Sequence, residues 1–370
     1  MTPVIIRESS YNYDTLKPVI CTLIETLDQN PFKKNSRVLI KPNLLLPAKP
    51  EKAITTHPMD VKAVAEYALD AGCAVTIADS QAIGSFRRVL KEGEYQKTLG
   101  DLDVQWVQFN ASVRKDIGEP FGEIDLAKDA LEADTVINLA KLKTHSQMLL
   151  TLGVKNLFGC VVGLKKPEWH MRAGINRQLF TQLLVQIYRA INPCITIIDG
   201  ILAMEGQGPG KGGSPRNLGV LVASSNAAAA DAVVCRMVGL DPARLPTHTV
   251  SKELDVLTDD IKTDGVVPNV SHFKLPVMAP LTFGPGFLQG FMRKHLVQRP
   301  TVDPKLCKQC GECRQYCPAN AISDEGNPLH FDYGKCIRCY CCIEVCPHGA
   351  LQSRETRTGR LIRSIPGLRI

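Results

Sequence analysis

The chain has 370 residues, 44% of them hydrophobic, enough to bury one large core and a small satellite. No uninterrupted apolar run reaches the ~18 residues of a membrane-spanning helix. The start, Met1-Thr-Pro-Val-Ile-Ile-Arg, lacks the basic and then apolar stretches of a signal peptide. The formal charge of +7 is dispersed apart from a basic run, Arg354 to Arg369, so no nucleic-acid partner is expected.

Residues 1–274 alternate two patterns. Short Val- and Ile-rich segments bounded by Gly, Pro, Asn or Asp predict strands at Val4–Arg7, Arg37–Ile40, Ala74–Ala78, Val104–Phe109, Thr135–Ala140, Ile195–Ile198 and Leu218–Ala223. Between them Leu16, Val19, Ile20, Leu23, Ile24 and Leu27 keep helical spacing. Pro58 opens a helix that closes at Gly72, and Asn226 caps an alanine-rich helix ending at Gly239. This alternation predicts an α/β domain with a mostly parallel sheet and flanking helices.

The strand ends carry chemistry. Val38-Leu-Ile runs into Lys41-Pro42-Asn43, and Val75-Thr-Ile-Ala into Asp79-Ser80. Val136-Ile-Asn-Leu-Ala runs into Lys141-Leu-Lys143-Thr-His145, and Ile195-Thr-Ile-Ile into Asp199-Gly200. Open α/β sheets bind ligands outside the carboxyl ends of their strands, so these groups are expected to share one site. The plainer alternative is that they mark where strands meet solvent.

Loop residues extend the set. His57, His145 and His170, read with Lys155 and Asn156, suggest a polar pocket, and their spacing matches no metal-ligand motif. Gly208, Gly210 and Gly213 satisfy G-x-G-x-x-G, but Ser214-Pro215-Arg216 and an apolar strand follow where a dinucleotide motif needs a helix. A glycine loop over the site, offering N–H groups to an anion, fits better.

Nine of the fourteen cysteines fall between residues 301 and 355. They form two runs, Cys307-x2-Cys310-x2-Cys313-x3-Cys317-Pro318 and Cys336-x2-Cys339-x2-Cys342-x3-Cys346-Pro347, offset by 29 residues. Zinc would leave the third close cysteine of each run unexplained, and a disulfide framework suits a small secreted protein. The runs resemble those of bacterial two-cluster ferredoxins, in which the fourth cysteine of each run crosses to the other cluster. That resemblance implies two [4Fe–4S] clusters, one on Cys307, Cys310, Cys313 and Cys346, the other on Cys336, Cys339, Cys342 and Cys317. With roughly −2 on each oxidised cluster, the net charge falls to roughly +3. Arg338 and Tyr340 stand where small residues are usual, and Cys341 is surplus to both sets. Iron–sulfur chemistry and free thiols point to the cytoplasm and to anaerobic metabolism.

The expected organisation is an α/β domain over 1–274, an apolar Pro- and Gly-containing linker over 275–300, a ferredoxin domain over 301–355 and a basic tail over 356–370. In the first domain, the series Lys41-Pro-Asn43, Thr55-Thr-His57-Pro58, Asp79-Ser80, Lys141-Leu-Lys143-Thr-His145, Thr151-Leu-Gly-Val-Lys155-Asn156 and Asp199-Gly-Ile-x-Ala-Met-Glu205-Gly-x-Gly-Pro209 resembles the family called domain of unknown function 362. That family is often fused to a two-cluster ferredoxin module, and its name fixes no activity.

The residues support a ferredoxin-linked oxidoreductase acting on a small anionic substrate or cofactor precursor. Lys41, Lys143 and Lys155 would hold carboxylate or phosphate, and His145 would donate a proton near neutrality. Asp199 and Glu205 would position the glycine loop or bind a metal. Asn43, His57, Asn156, Gly208 and Gly210 would complete a site for a further small-molecule cofactor, a flavin among the candidates. The alternatives are an electron-transfer subunit that docks a partner oxidoreductase and a factor that assembles metal or iron–sulfur cofactors. In each case a redox partner protein is expected.

Overall fold

The computed structural model describes residues 1–27, 32–163, 165–173, 176–276, 298–325, 329–356 and 358. Nine strands form the main sheet: β1 (Thr2–Glu8), β2 (Arg37–Pro42), β3 (Ala74–Asp79), β4 (Val104–Gln108), β7 (Thr135–His145), β8 (Leu149–Thr151), β9 (Ile195–Gly206), β10 (Gly213–Ser224) and β11 (Ile261–Asp264). A separate hairpin supplies β5 (Ser112–Asp116) and β6 (Glu123–Ala127). The sheet order is β11–β1–β10–β9–β7–β2–β3–β4, with β8 folded back on β7. Pairings from β9 through β4 are parallel, whereas β10 runs antiparallel to β1 and β9. The sheet is mixed and mostly parallel, as the alternation implies.

Period-two alternation sorts each strand between two cores. Val38, Ile40, Ile137, Leu139, Ile195 and Ile197 face helices Tyr13–Leu27 and Pro58–Asp70. Leu39, Val136, Ala140 and Ile198 face helices Arg177–Ile191 and Ala227–Met237. Burying each large apolar side chain contributes about 1.5–3 kcal/mol, so both faces hold the sheet in register.

Three strands run beyond their expected bounds. β7 continues through His145, β9 through Gly206, and β10 begins at Gly213. Each extension finds a ladder partner that local propensity does not reveal. β8 pairs with Lys143–His145, and β9 and β10 continue as an antiparallel ribbon past the parallel sheet. The β5–β6 hairpin was missed because Ser-Val-Arg-Lys-Asp is exposed throughout and carries no apolar alternation.

The C-terminal module pairs β12 (Arg299–Val302) with β15 (Leu351–Arg354), and β13 (Ile322–Ser323) with β14 (His330–Phe331), around helical turns Glu312–Gln315 and Cys341–Val345. A third apolar cluster joins Leu46, Ile54 and Met204 of the sheet edge to Phe331, Ile343 and Val345. The small module therefore seats on the carboxyl edge. The linker expected over 275–300 and the basic tail over 356–370 lie mostly outside the described residues.

One buried acid fixes the local geometry. Asp231 accepts from the amides of Gly153 (2.7 Å) and Val154 (3.1 Å), holding the turn Gly153–Asn156 that carries Lys155. Gly153 is required there, because a Cβ would stand 2.7 Å from Thr196 Cγ2. Burial outweighs those amides and pushes Asp231 from 3.8 up to about 7. A carboxyl raised on folding contributes stability that is complete below its unfolded value and is lost as pH rises through the folded one. Asp231→Asn should therefore gain on the wild type by about 1–3 kcal/mol between pH 5.5 and pH 8, read by urea unfolding. A pH-independent difference would contradict this.

Candidate functional site

A cavity of about 100 Å³ lies between the carboxyl edge and helix Cys341–Val345, room for a few waters or a small ligand. β2 and its following loop deliver Lys41 and Asn43, β3 and its end Asp79 and Ser80, and β7 Lys143 and His145. The Gly153–Asn156 turn delivers Lys155 and Asn156. The opposite wall is Tyr316, Cys341, Glu344 and Val345 of the C-terminal module.

Buried pairing anchors the floor. Lys41 Nζ lies 2.8 Å from Asp79 Oδ1, and Asp79 also accepts from the amides of Leu44 and Ser80, each at 2.8 Å. Gly159 makes room for this pair, since a Cβ there would collide with Asp79 Oδ1 and stand 2.6 Å from Lys41 Nζ. Asn156 links the strands, accepting from Asn43 Nδ2 at 2.9 Å and donating to Asn138 Oδ1 at 2.8 Å.

The remaining cations face Glu344, Asp79 or both. Lys143 donates to Asn43 Oδ1 (2.8 Å) and the Ile54 carbonyl (2.7 Å). Burial, reinforced by Lys155, pushes Lys143 well below the ordinary lysine range. Lys155 is lowered by burial against the opposing pull of Glu344. Burial brings Lys166, which donates to the Ser80 carbonyl, down to about 8. Glu344 answers them: burial disfavours its charge, yet His145 and Lys155 outweigh burial and hold its carboxyl well below the usual range.

His145 behaves differently from expectation. Burial, with Lys155, lowers it to about 4, so it is neutral at physiological pH and is no proton donor titrating near neutrality. Its Nδ1 accepts from the amides of Gln147 (3.1 Å) and Met148 (3.3 Å), which leaves the ring proton on Nε2, 2.9 Å from Glu344 Oε1. His170 lines the cavity too, but stacks on Phe180 at 4.3 Å and is likewise lowered by burial to about 4.

The expected single site divides in two. Asp199 follows Ile195 and Ile197 in strand parity and faces the opposite core, away from the cavity. There Lys141 Nζ (2.6 Å), Tyr11 Oη (2.8 Å) and the His57 amide (3.0 Å) saturate it. Burial works against the charge of Asp199, and Lys141 overcomes it, so its carboxyl sits below the ordinary range. Asp60 beside it is raised well above its ordinary value by burial and by Asp199. His57 caps helix Pro58–Asp70 and stacks on Tyr11 at 3.5 Å. This network braces the sheet against two helices, and its carboxylate has no free oxygen to offer a metal.

The glycine loop is also placed otherwise. Only Pro209 of it lines the cavity. The Gly208 amide donates to Thr144 Oγ1 at 3.2 Å, and a Cβ on Gly210 would stand 3.0 Å from the Glu344 carbonyl. Gly210 therefore packs against helix Cys341–Val345, and Gly208 against β7. Glu205 accepts from the Lys274 amide at 3.1 Å, outside the cavity wall.

The cysteines gather as two quartets. Burial, and then the thiols of Cys346, Cys310 and Cys307, push Cys313 up to about 12. Cys317 is raised by burial and by Cys339 and Cys336, and Cys342 well above its ordinary value by burial and the same two thiols. Such crowding disfavours free thiolates and suits cationic iron, which deprotonates its ligands. The amides of Ala321 and Ala350 donate to Cys317 Sγ and Cys346 Sγ, each at 3.3 Å. Among the described residues no three such side chains close on one point as a single ion would require; a cubane is gripped at its corners, by thiolates set farther apart. Cys310 is exposed and Cys307 half-buried, whereas Cys336, Cys339, Cys342 and Cys346 are buried. Arg338 and Tyr340 adopt left-handed φ of 61° and 59°, conformations that favour glycine. Tyr340 donates to the Gln298 carbonyl at 2.8 Å.

Glu344, Lys166, Asp231 and Tyr11 carry roles that motif reading passed over. Glu344 is a spacer inside a ligand run, and nothing in its spacing marks it.

Comparison with known proteins fits this division. A family model described as domain of unknown function (DUF362) matches residues 38–236, and a 4Fe-4S dicluster domain matches residues 299–347. A thylakoid-associated protein of Synechocystis sp. is 39% identical over 288 residues, covering 76% of this chain and 89% of that protein. The electron transport protein HydN of Escherichia coli is 31% identical over 78 residues, 20% of this chain and 41% of that protein. A lactate racemase apoprotein structure from Thermoanaerobacterium thermosaccharolyticum overlays with a TM-score of 0.39 and 15% identity, covering 60% of this chain and 54% of that chain. The chain belongs to the DUF362 family and carries a C-terminal 4Fe-4S dicluster domain.

Proposed function

We propose that the α/β domain binds a small anion in the cavity it shares with the dicluster domain, and that the clusters exchange electrons beside that anion. One observation carries the reading. The cavity wall opposite the lysines is helix Cys341–Val345, which begins beside Cys342 and ends beside Cys346. A ligand there lies against the backbone that holds both clusters. The clusters would supply single electrons at low potential.

The chain's own groups divide the remaining work. Lys143 and Lys166 retain unused N–H donors for an anion. Lys166, at about 8, titrates near neutrality and replaces His145 as the proton source. Neutral His145 and Glu344 set the geometry of the wall. A redox partner would meet the dicluster domain at its exposed side, where Cys310 reaches solvent. Among the described residues no helix is long and apolar enough to cross a membrane; free thiols and iron–sulfur chemistry favour the cytoplasm.

The ligation we propose is crossed: Cys307, Cys310, Cys313 and Cys346 on one cluster, Cys336, Cys339, Cys342 and Cys317 on the other. Cys317→Ser should disturb the EPR signal of the second cluster and spare the first, in a protein that otherwise holds about eight irons. Loss of the first cluster instead, or about four irons in the wild type, would refute it.

Anion binding is measured with oxamate, whose amide carbonyl is unreactive, by calorimetry on the anaerobic, cluster-loaded protein. An ammonium is charged below its pKa, so affinity should fall as pH rises through about 8. Lys166→Met should weaken binding at pH 7 by about tenfold or more and flatten that step. Absence of oxamate binding, or a flat profile in the wild type, would overturn the anion site.

A further inference from the structure

We propose that Lys155 is a nucleophilic lysine which captures the carbonyl of a 2-oxo acid as an imine, while neighbouring lysines hold the acid's carboxylate. The inference rests on the anion site above and names its substrate class.

Four lysines line the cavity, and three of them are engaged. Lys41 meets Asp79 at 2.8 Å and the Pro42 carbonyl at 2.9 Å. Lys143 uses two N–H groups on Asn43 and Ile54, and Lys166 uses one on Ser80. The Lys155 amine forms no hydrogen bond or ion pair with any described residue, although the side chain is half-buried in the wall. A structural lysine in so enclosed a place would be expected to spend its donors on acceptors, as the other three do. Its backbone is fixed by the two bonds from Asp231 to the turn and by the close packing of Gly153. The amine is therefore delivered to the cavity without being tied down there.

Its surroundings favour the reactive form. Burial lowers its ammonium, against the opposing pull of Glu344 and Cys341. A desolvated lysine held as the free amine is the form that attacks carbonyls. The Nζ lone pair attacks the carbonyl carbon to give a carbinolamine. Loss of water then replaces the C–O bond with a C=N bond, and nothing is oxidised or reduced. The carboxylate stays free to accept from the N–H groups that Lys143 and Lys166 have left. A volume of about 100 Å³ admits an acid of only a few heavy atoms.

The test uses glyoxylate, the smallest 2-oxo acid, with sodium cyanoborohydride on the anaerobic, cluster-loaded full chain, followed by peptide mapping. The reagent supplies the hydride that converts an imine into a stable secondary amine. Lys155 should be modified about tenfold faster than surface lysines, oxamate should slow it in proportion to its own occupancy, and Lys155→Met should lose the fast phase with iron content unchanged. Modification of Lys155 no faster than that of surface lysines overturns the imine. If oxamate still binds in that case, the anion site survives without it. If oxamate does not bind either, both readings fall.

Discussion

Glu344 brings a carboxylate from the dicluster domain into a wall of lysines and histidines contributed by the α/β sheet. Its Oε1 lies 2.9 Å from His145 Nε2, whose N–H helps sustain its charge against burial. Without it, Lys143, Lys155 and Lys166 would face one another across a small space with only Asp79 opposed, and Asp79 already serves Lys41. The apolar seam through Ile54, Met204 and Ile343 brings the two parts together. Glu344 gives the contact its electrostatic sense.

Strand parity sorts some of these charges, and the register shift between Lys141 and Lys143 separates two lysines of one strand. Side chains two residues apart share a face, so Asn138 follows Val136 to the cavity side and Asp199 follows Ile197 to the other. The result is two buried polar centres on opposite faces of one sheet edge. One, built on Asp199, Lys141 and Tyr11, is closed on itself. The other is left with donors to spare, which is why the ligand is assigned to it.

Much of this was legible in the sequence. The α/β alternation, the main strand starts and the two cysteine runs each carry a local signal, and Lys41, Asp79, Lys143, Lys155 and Asn156 do reach one cavity. What escaped has a physical reason in each case. The β9–β10 ribbon is held by long-range pairing, so Asp199 and Glu205 became strand residues although their chemistry suggested a loop. His145 looked like a group titrating near neutrality until its burial was known. The glycine run looked like an anion cradle, but Gly210 is small because the Glu344 backbone passes over it. Glu344 itself belongs to the other module, and only the docked arrangement gives it a role.

Under the proposed function, ligand and clusters share one electrostatic environment. Binding an anion against helix Cys341–Val345 disfavours the added electron, and by linkage reduction weakens the anion. Protein-film voltammetry with and without saturating oxamate reads this directly. A downward shift in the potential of at least one cluster, reached in Lys166→Met only at about tenfold higher oxamate, is the predicted result; potentials unmoved by bound oxamate would contradict it.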